Sequence, residues 1–131
     1  MDLIADTTLL VGIWRSRPWA RNFVAAHTGK SLGVPWIVLG EFWHGAIRAN
    51  HDEEQVRRFL SIGLALMDPA PVISSYAKIC VSLQAQNIYR NVGQNDLWIA
   101  ATCLAYDKPL VTRNRRHFEA IEGLKLEILA D

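Results

Sequence analysis

The chain has 131 residues, half of them hydrophobic, with 14 basic and 13 acidic side chains and a formal net charge of +1. This length supports one hydrophobic core and is short for two, so we expect a single domain over residues 1–131. A net charge so close to zero excludes a protein that coats nucleic acid through bulk positive charge, and any nucleic-acid contact must be local.

Sorting signals and paired cysteines are not evident. The amino-terminal sequence MDLIAD lacks the positive segment of a secretory signal, and no apolar run approaches the ~20 residues of a membrane helix. Cys80 and Cys103 lie within predicted helices without the spacing of a metal or disulfide site, which favours a packing role. We therefore expect a cytoplasmic protein with no membrane partner.

The chain begins with a short apolar run, residues 3–5, which ends in Asp6 and leads into a second apolar stretch. This pattern predicts a strand that feeds a helix. Pro18 suits the first turn of a second helix, which Gly29 ends. In that helix Trp19, Phe23, Val24 and Ala26 are expected on one side. Asp6 thus stands at the carboxyl end of a predicted strand.

A third helix is predicted over residues 37–50, after a turn at Gly33-Val34-Pro35-Trp36. Glu41 lies among the apolar residues of this helix, which are Leu39, Phe42, Trp43 and Ala46. A fourth helix follows, and the acids at positions 52–54 complement the dipole of its first turn.

The second half of the chain repeats the alternation of strand and helix. Residues 65–67 predict a second strand, and the prolines after it precede a long helix that extends to Leu83. Either Asn95 or Asp96 is the expected N-cap of the next helix, which should end near Asp107.

The strand after that helix is predicted at residues 110–112, because Lys108-Pro109 stops the helix and an apolar run follows. Its carboxyl end delivers a basic segment to the surface. A short helix around Phe118 and a last strand over residues 124–128 complete the chain. Short strands separated by helices predict an α/β protein, a three-layer α/β/α sandwich with a mainly parallel sheet.

Three acids are placed where chemistry would be expected. Asp6 ends the first strand, Glu41 lies in an apolar helix and Asp96 begins the central helix. Taken singly, Asp6 and Asp96 suit helix caps and Glu41 suits an exposed position. Ligands of open α/β sheets bind at the carboxyl ends of the strands, however, and three carboxylates that converged there would repel one another unless a hard cation such as Mg²⁺ or Mn²⁺ neutralised them.

Four segments resemble, in order, the signature blocks of PIN domains, and most closely those of the VapC toxins of bacterial and archaeal toxin-antitoxin pairs. They are Asp6-Thr7-Thr8-Leu9-Leu10, Gly40-Glu41-Phe42-Trp43-His44-Gly45, Asn95-Asp96-Leu97-Trp98-Ile99-Ala100-Ala101 and Leu110-Val111-Thr112-Arg113-Asn114-Arg115-Arg116-His117-Phe118. The resemblance implies a parallel sheet between helices and a Mg²⁺-dependent endoribonuclease that cleaves structured RNA such as tRNA or rRNA. It places catalytic and metal-binding roles on Asp6, Glu41 and Asp96, with Thr7 and Thr112 in supporting positions.

The fourth block departs from the resemblance at Asn114, where many PIN domains have another aspartate. An amide oxygen can accept a hydrogen bond but carries no charge, so a second metal ion would be held less well. We therefore expect one tightly held ion. Asn114 is still counted with the catalytic residues, because it occupies the position of that aspartate.

Three arginines follow the same strand: Arg113, Arg115 and Arg116. They are either solvated loop charges or contacts for the phosphates that flank a cleaved bond, which the carboxylates alone would repel. The four histidines, His27, His44, His51 and His117, are scattered and are assigned to surface or packing roles.

Other functions are less well matched. A phosphatase of the haloacid-dehalogenase type needs a second acid where Thr8 stands, and a receiver-like phosphoacceptor needs an acidic pair that the first strand lacks. A PIN-like module that binds RNA or protein without turnover stays open because of Asn114.

The tryptophan content predicts a surface for contact with another protein chain. Five tryptophans, at positions 14, 19, 36, 43 and 98, are many for one small core, so some should be exposed at a contact surface. We expect a homodimer, and the resemblance adds a VapB-like antitoxin as a protein partner.

Overall fold

The sheet has five strands, all parallel. A computed structural model describes residues 1–129 of the chain. The strands lie in the order β3-β2-β1-β4-β5. Their bounds are β1 Leu3–Ala5, β2 Leu32–Pro35, β3 Leu64–Leu66, β4 Leu110–Thr112 and β5 Leu126–Ile128. The predicted α/β sandwich is confirmed, and its sheet is wholly parallel.

Helices connect the strands and flank the sheet. They are α1 Thr7–Trp14, α2 Pro18–Ala26, α3 Trp36–Arg48, α4 Glu53–Leu60, α5 Ile73–Ala85, α6 Gln94–Tyr106 and α7 Arg115–Phe118, with a 3₁₀ turn at Tyr89–Asn91. Within residues 1–129, none of these helices has the length and apolar character to cross a membrane.

The two middle strands form the centre of the core. Ile4 and Ala5 of β1 and Leu110 and Val111 of β4 have no exposed surface. A parallel strand covered on both faces is apolar at successive positions, which explains the unbroken apolar runs in the sequence. Because β1 and β4 are neighbours, their carboxyl ends bring residues 6 and 112–114 to one edge of the sheet.

The turn predicted at residues 33–36 is wrong, because residues 32–35 form β2 and lie between β1 and β3. Glycine and proline are turn signals, but here each suits its place in a strand. A Cβ on Gly33 would collide with the side chain of Met1 and press on Leu66, so glycine lets these two side chains pack against the strand. Pro35 is the last residue of β2 and the N-cap of α3, where its missing amide hydrogen costs little.

The predicted N-cap of α6 is also wrong. The cap is Gly93, and the helix begins at Gln94. Asn95 and Asp96 therefore lie in the first turn of the helix, and their side chains do not cap it. The predicted end is confirmed, since the helix stops at Tyr106 and Asp107 adopts the left-handed conformation with φ 51°.

In α2 the expected apolar side is not buried as a whole, because only Ala20 and Phe23 are buried and Val24 is half exposed. All five tryptophans are partly exposed, in agreement with the expectation that one small core cannot bury them all. Trp14 packs edge-to-face on Phe42 and Phe59, because neighbouring helices supply aromatic partners that a linear pattern does not show.

Candidate active site

Asp6 is held at the carboxyl edge of the sheet by two elements. It is the N-cap of α1, and its Oδ1 accepts a hydrogen bond from Leu9 N at 2.9 Å. Its Oδ2 accepts one from Thr112 Oγ1, at the end of β4, at 2.6 Å. Asn114 N in turn donates to Thr112 Oγ1 at 3.0 Å. Asp6 is thus a helix cap and a member of a polar cluster at the same time.

Glu41 approaches the same edge from α3. Its Oε1 accepts a hydrogen bond from Thr7 Oγ1 at 2.6 Å, and its Oε2 accepts one from Asn95 Nδ2 at 3.2 Å. Thr7 is the first residue of α1 and Asn95 lies in the first turn of α6. Two helix starts therefore orient one carboxylate that belongs to a third helix.

Asp96 is paired with a histidine. Its Oδ2 lies 2.8 Å from His117 Nδ1, which belongs to the short helix α7. The assignment of His117 to a surface or packing role is therefore incomplete, because its ring contacts a predicted site residue. His117 lies three positions after Asn114 within the TRNRRHF segment, a spacing that places both near one turn of helix.

The three acids line one pocket of about 230 Å³. The same pocket is lined by Thr7, Thr8, Ile99, Asn114, His117 and Phe118. Four side chains expected to share a catalytic site are thus brought together: Glu41 and Asp96 from two helices, and Asp6 and Asn114 from the segments that follow β1 and β4. The sequence positions span more than a hundred residues, and the fold places them around one cavity.

Burial and mutual repulsion affect the carboxylates. Burial raises the pKa of Asp6, and the charges of Asp96 and Glu41 raise it further, while hydrogen bonds from Thr112 and Leu9 oppose the rise. The pKa of Asp96 is also raised by burial, with a further rise from Glu41, and His117 opposes the rise through its hydrogen bond and charge. The acids therefore interact electrostatically across the pocket.

The donor set suits a hard divalent cation, although the ligands are not gathered in advance. Within residues 1–129, no three His, Cys, Asp or Glu side chains stand close enough to hold a metal ion as they are. Five of the six carboxylate oxygens accept protein hydrogen bonds, and Asp96 Oδ1 has none among the described residues. Each carboxylate oxygen has two lone pairs, so these donors orient the acids and leave coordinating capacity.

The three arginines lie near this edge but do not line the pocket. Arg113 lies over the ring of Trp19, with Cζ 4.4 Å from the ring centroid. Arg115 and Arg116 are exposed at the start of α7.

Comparison with known proteins agrees with this architecture. The family model described as PIN domain matches residues 3–124. The chain is similar to Ribonuclease VapC1 of Rickettsia felis, with 29% identity over 132 residues, which cover 96% of this chain and 95% of that protein. It is also similar to Ribonuclease VapC4 of Mycobacterium tuberculosis, with 31% identity over 117 residues, or 85% of each chain.

Two solved structures show the same fold. One is VapBC2 from Rickettsia felis bound to a DNA fragment from their promoter, with a TM-score of 0.86, 24% identity and coverage of 99% of this chain and 100% of that one. The other is DNA-bound VapBC from Salmonella typhimurium, with a TM-score of 0.83, 24% identity and coverage of 98% of each chain. The chain therefore belongs to the PIN domain family, and its relatives in that family are VapC ribonucleases.

Proposed function

We propose that this protein is a divalent-metal-dependent endoribonuclease and the toxin of a toxin-antitoxin pair. The observation that carries the proposal is the pocket at the carboxyl edge of a parallel sheet that Asp6, Glu41 and Asp96 line together, where burial and neighbouring acid charges raise the pKa values of Asp6 and Asp96. Nearly full-length similarity to proteins named Ribonuclease VapC supports the reaction class.

The three carboxylates are proposed to hold Mg²⁺ or Mn²⁺, which as a bound Lewis acid would polarise the scissile phosphate. Thr7, Thr112 and Asn95 orient Asp6 and Glu41 through the hydrogen bonds described above. Asp96 Oδ1 accepts no hydrogen bond from residues 1–129, and we propose that it takes a proton from the attacking water. Asn114 completes the rim of the pocket without adding charge.

The proposed substrate is a structured RNA such as tRNA or rRNA. Its backbone is polyanionic and would be repelled by the acids, so cations must hold the phosphates on either side of the cleaved bond. Arg115 and Arg116 are exposed beside the pocket and suit this role, and Arg113 precedes them on the same segment. Cleavage of cellular RNA implies a cytoplasmic location.

A protein partner is the second part of the proposal. The similar solved structures are VapBC complexes, some with DNA. We expect this chain to be neutralised by a VapB-like antitoxin whose basic side chain pairs with the acids of the pocket. Growth arrest on expression, relieved by co-expression of that partner, is the corresponding observation.

The experiment is incubation of purified protein with total RNA in Mg²⁺, in Mn²⁺ and in excess chelator, followed by mapping of the cut ends. We expect metal-dependent cuts with 5′-phosphate and 3′-hydroxyl ends, because attack by water does not need the ribose 2′-hydroxyl. Cyclic phosphate ends, or cleavage that persists in chelator, would assign the chemistry to His117 or His44 instead.

A binding module without turnover is the second candidate. Asn114, which lines the pocket in place of a fourth acid, favours it. The same experiment separates the two proposals: RNA bound without cleavage in either metal supports the binding module.

A further inference from the structure

A second, smaller cavity lies beside the acid pocket, between α1 and α3. Its volume is about 100 Å³, and Trp14, Phe42 and Ala46 contribute to its walls. Glu41 lines both cavities. The two cavities are therefore neighbours on either side of Glu41, and we call the second one the α1–α3 groove.

The groove has an apolar interior and a cationic border. Phe42 and Ala46 are buried, and Trp14 packs edge-to-face on Phe42 with ring centroids 5.9 Å apart. Exposed Arg15 also lines the groove. Sites for drug-sized ligands are roughly 300–1,000 Å³, so this space suits one flat ring and not a larger group.

Gly45 lines the groove and contributes no side chain to it. This residue lies inside α3, where glycine is less favourable than alanine because it loses more backbone freedom on folding. A Cβ placed on Gly45 would have no atom within 4 Å, so packing does not demand glycine. The lack of a side chain instead leaves space in the groove, of which Gly45 forms part of the lining.

We propose that the α1–α3 groove binds one nucleobase of the RNA, adjacent to the cleaved bond, with a flanking phosphate at Arg15. The proposal rests on the ribonuclease function. Three features favour RNA as the occupant: Glu41 lines both the groove and the acid pocket, Trp14 and Phe42 give the groove aromatic walls, and its border carries a guanidinium that can pair with phosphate. A neutral base also fits beside Glu41, where a phosphate would be repelled.

The decisive variant is Gly45→Leu, which fills the groove from an open position on the helix. Gly40→Leu is the matched control, because Gly40 also lies in α3, is exposed, and has no atom within 4 Å of an added Cβ. Gly40 does not line the groove. Gly45→Ala and Gly40→Ala form a milder pair should either leucine variant fail to fold, and thermal melts establish that all four are native.

The first measurement is binding of a fluorescent single-stranded RNA by each variant in an Asp6→Asn background, which separates binding from cleavage. We expect Gly45→Leu to weaken binding at least about five-fold relative to Gly40→Leu, the lower end of the loss when one base loses an aromatic contact. In the background with Asp6 intact, the preference for the base next to the cut should relax for Gly45→Leu alone.

The second measurement concerns Arg15. Arg15→Gln should weaken RNA binding and reduce the slope of log affinity against log salt by about 0.7, as expected for loss of one phosphate contact to a single strand. Arg21→Gln removes the same charge from an exposed position on α2, and it should reduce the salt slope less than Arg15→Gln does.

The outcomes separate the two levels of proposal. Absence of RNA cleavage by the unaltered protein contradicts the ribonuclease function, while the binding measurement still tests the groove. RNA cleavage with equal RNA binding by Gly45→Leu and Gly40→Leu overturns the nucleobase proposal. If those two variants differ only in their inhibition by a protein partner, the groove is a protein-binding site and the proposal is wrong.

Discussion

Asp6 combines two roles in one side chain. It caps α1 through Leu9 N, and it also shares a pocket with Glu41 and Asp96. The interpretations as a helix cap and as a site residue therefore do not exclude each other. A carboxylate that caps a helix is held in place by the fold, which is the condition that a catalytic or metal-binding group requires.

We expect Asp6→Asn, Glu41→Gln and Asp96→Asn each to abolish RNA cleavage and to retain the fold. Each change removes one of several carboxylates that repel one another, and the amide keeps the shape of the side chain. Thermal melts in chelator and cleavage assays in Mg²⁺ measure the two effects. If all three variants lose several degrees of melting temperature, the acids are structural and the proposed site is wrong.

The raised pKa of Asp6 predicts how stability depends on pH. Between its ordinary pKa of 3.8 and the higher value in the folded state, the folded protein binds more protons than the unfolded chain. Stability of the metal-free protein should therefore fall as pH rises through this window. Asp6→Asn should remove part of that fall. Chelator-treated melts from pH 4 to pH 7 test this, and a wild-type curve that rises relative to Asp6→Asn contradicts it.

Asn114→Asp should strengthen metal binding. A carboxylate ~4 Å from a unit charge gains roughly 4 kcal/mol at an effective dielectric near 20, and desolvation and repulsion from the existing acids offset most of this. We expect a net gain of about 1 kcal/mol, or five-fold in affinity, by Mn²⁺ calorimetry. Cleavage need not accelerate, because the added charge also repels the substrate phosphate.

The control for that change is Asn22→Asp, on an exposed part of α2 that adds the same charge away from the pocket. Equal affinities in Asn114→Asp and Asn22→Asp would place residue 114 beyond the reach of the metal, and would leave it as a loop or RNA-contact residue.

The unit from α6 through β4 to α7 brings most of the polar groups to the site. The first turn of α6 supplies Asn95 and Asp96, the end of β4 supplies Thr112, and α7 supplies His117. This order arises because β4 pairs with β1, which ends at Asp6. The basic segment after β4 consequently lies beside the acids.

Arg115→Gln and Arg116→Gln should each weaken RNA binding and lower the salt slope by about one, because each would remove one phosphate contact. Arg58→Gln on α4, also exposed, is the control of equal charge. Salt titrations of RNA affinity make the comparison. The same slope for all three variants would mean that the two arginines of α7 are solvated charges with no role in RNA binding.

The molecule as a whole leaves several aliphatic side chains in solvent. The large apolar side chains that are at least half exposed are those of Val24, Ile47, Ile62, Leu64, Met67, Ile73 and Val81. We predict a homodimer at micromolar concentration, with some of this aliphatic surface buried at the interface together with partly exposed tryptophans. Light scattering measures the mass, and a monomer at that concentration contradicts the prediction.

Much of this fold was readable from local pattern. Buried strands and helices of clear period were predicted close to their observed bounds, as for β4 at 110–112 and for the end of α6. The strand β2 was not predicted, because Gly33 and Pro35 are residues typical of turns. Whether such residues form a turn or a strand depends on the residues that pack against them. Packing against Met1 and Leu66 explains that glycine, and those contacts join residues far apart in the chain.

Residue types and order determined the fold class and the acids to consider, because periodicity and strand ends are local properties of a chain. Only the tertiary structure decided which groups touch. Thr112 binds Asp6 across 106 positions, Asn95 reaches Glu41 across 54, and His117 pairs with Asp96 across 21. Such distances depend on how strands are ordered and helices packed, and a carboxylate's partners and pKa follow from those distances.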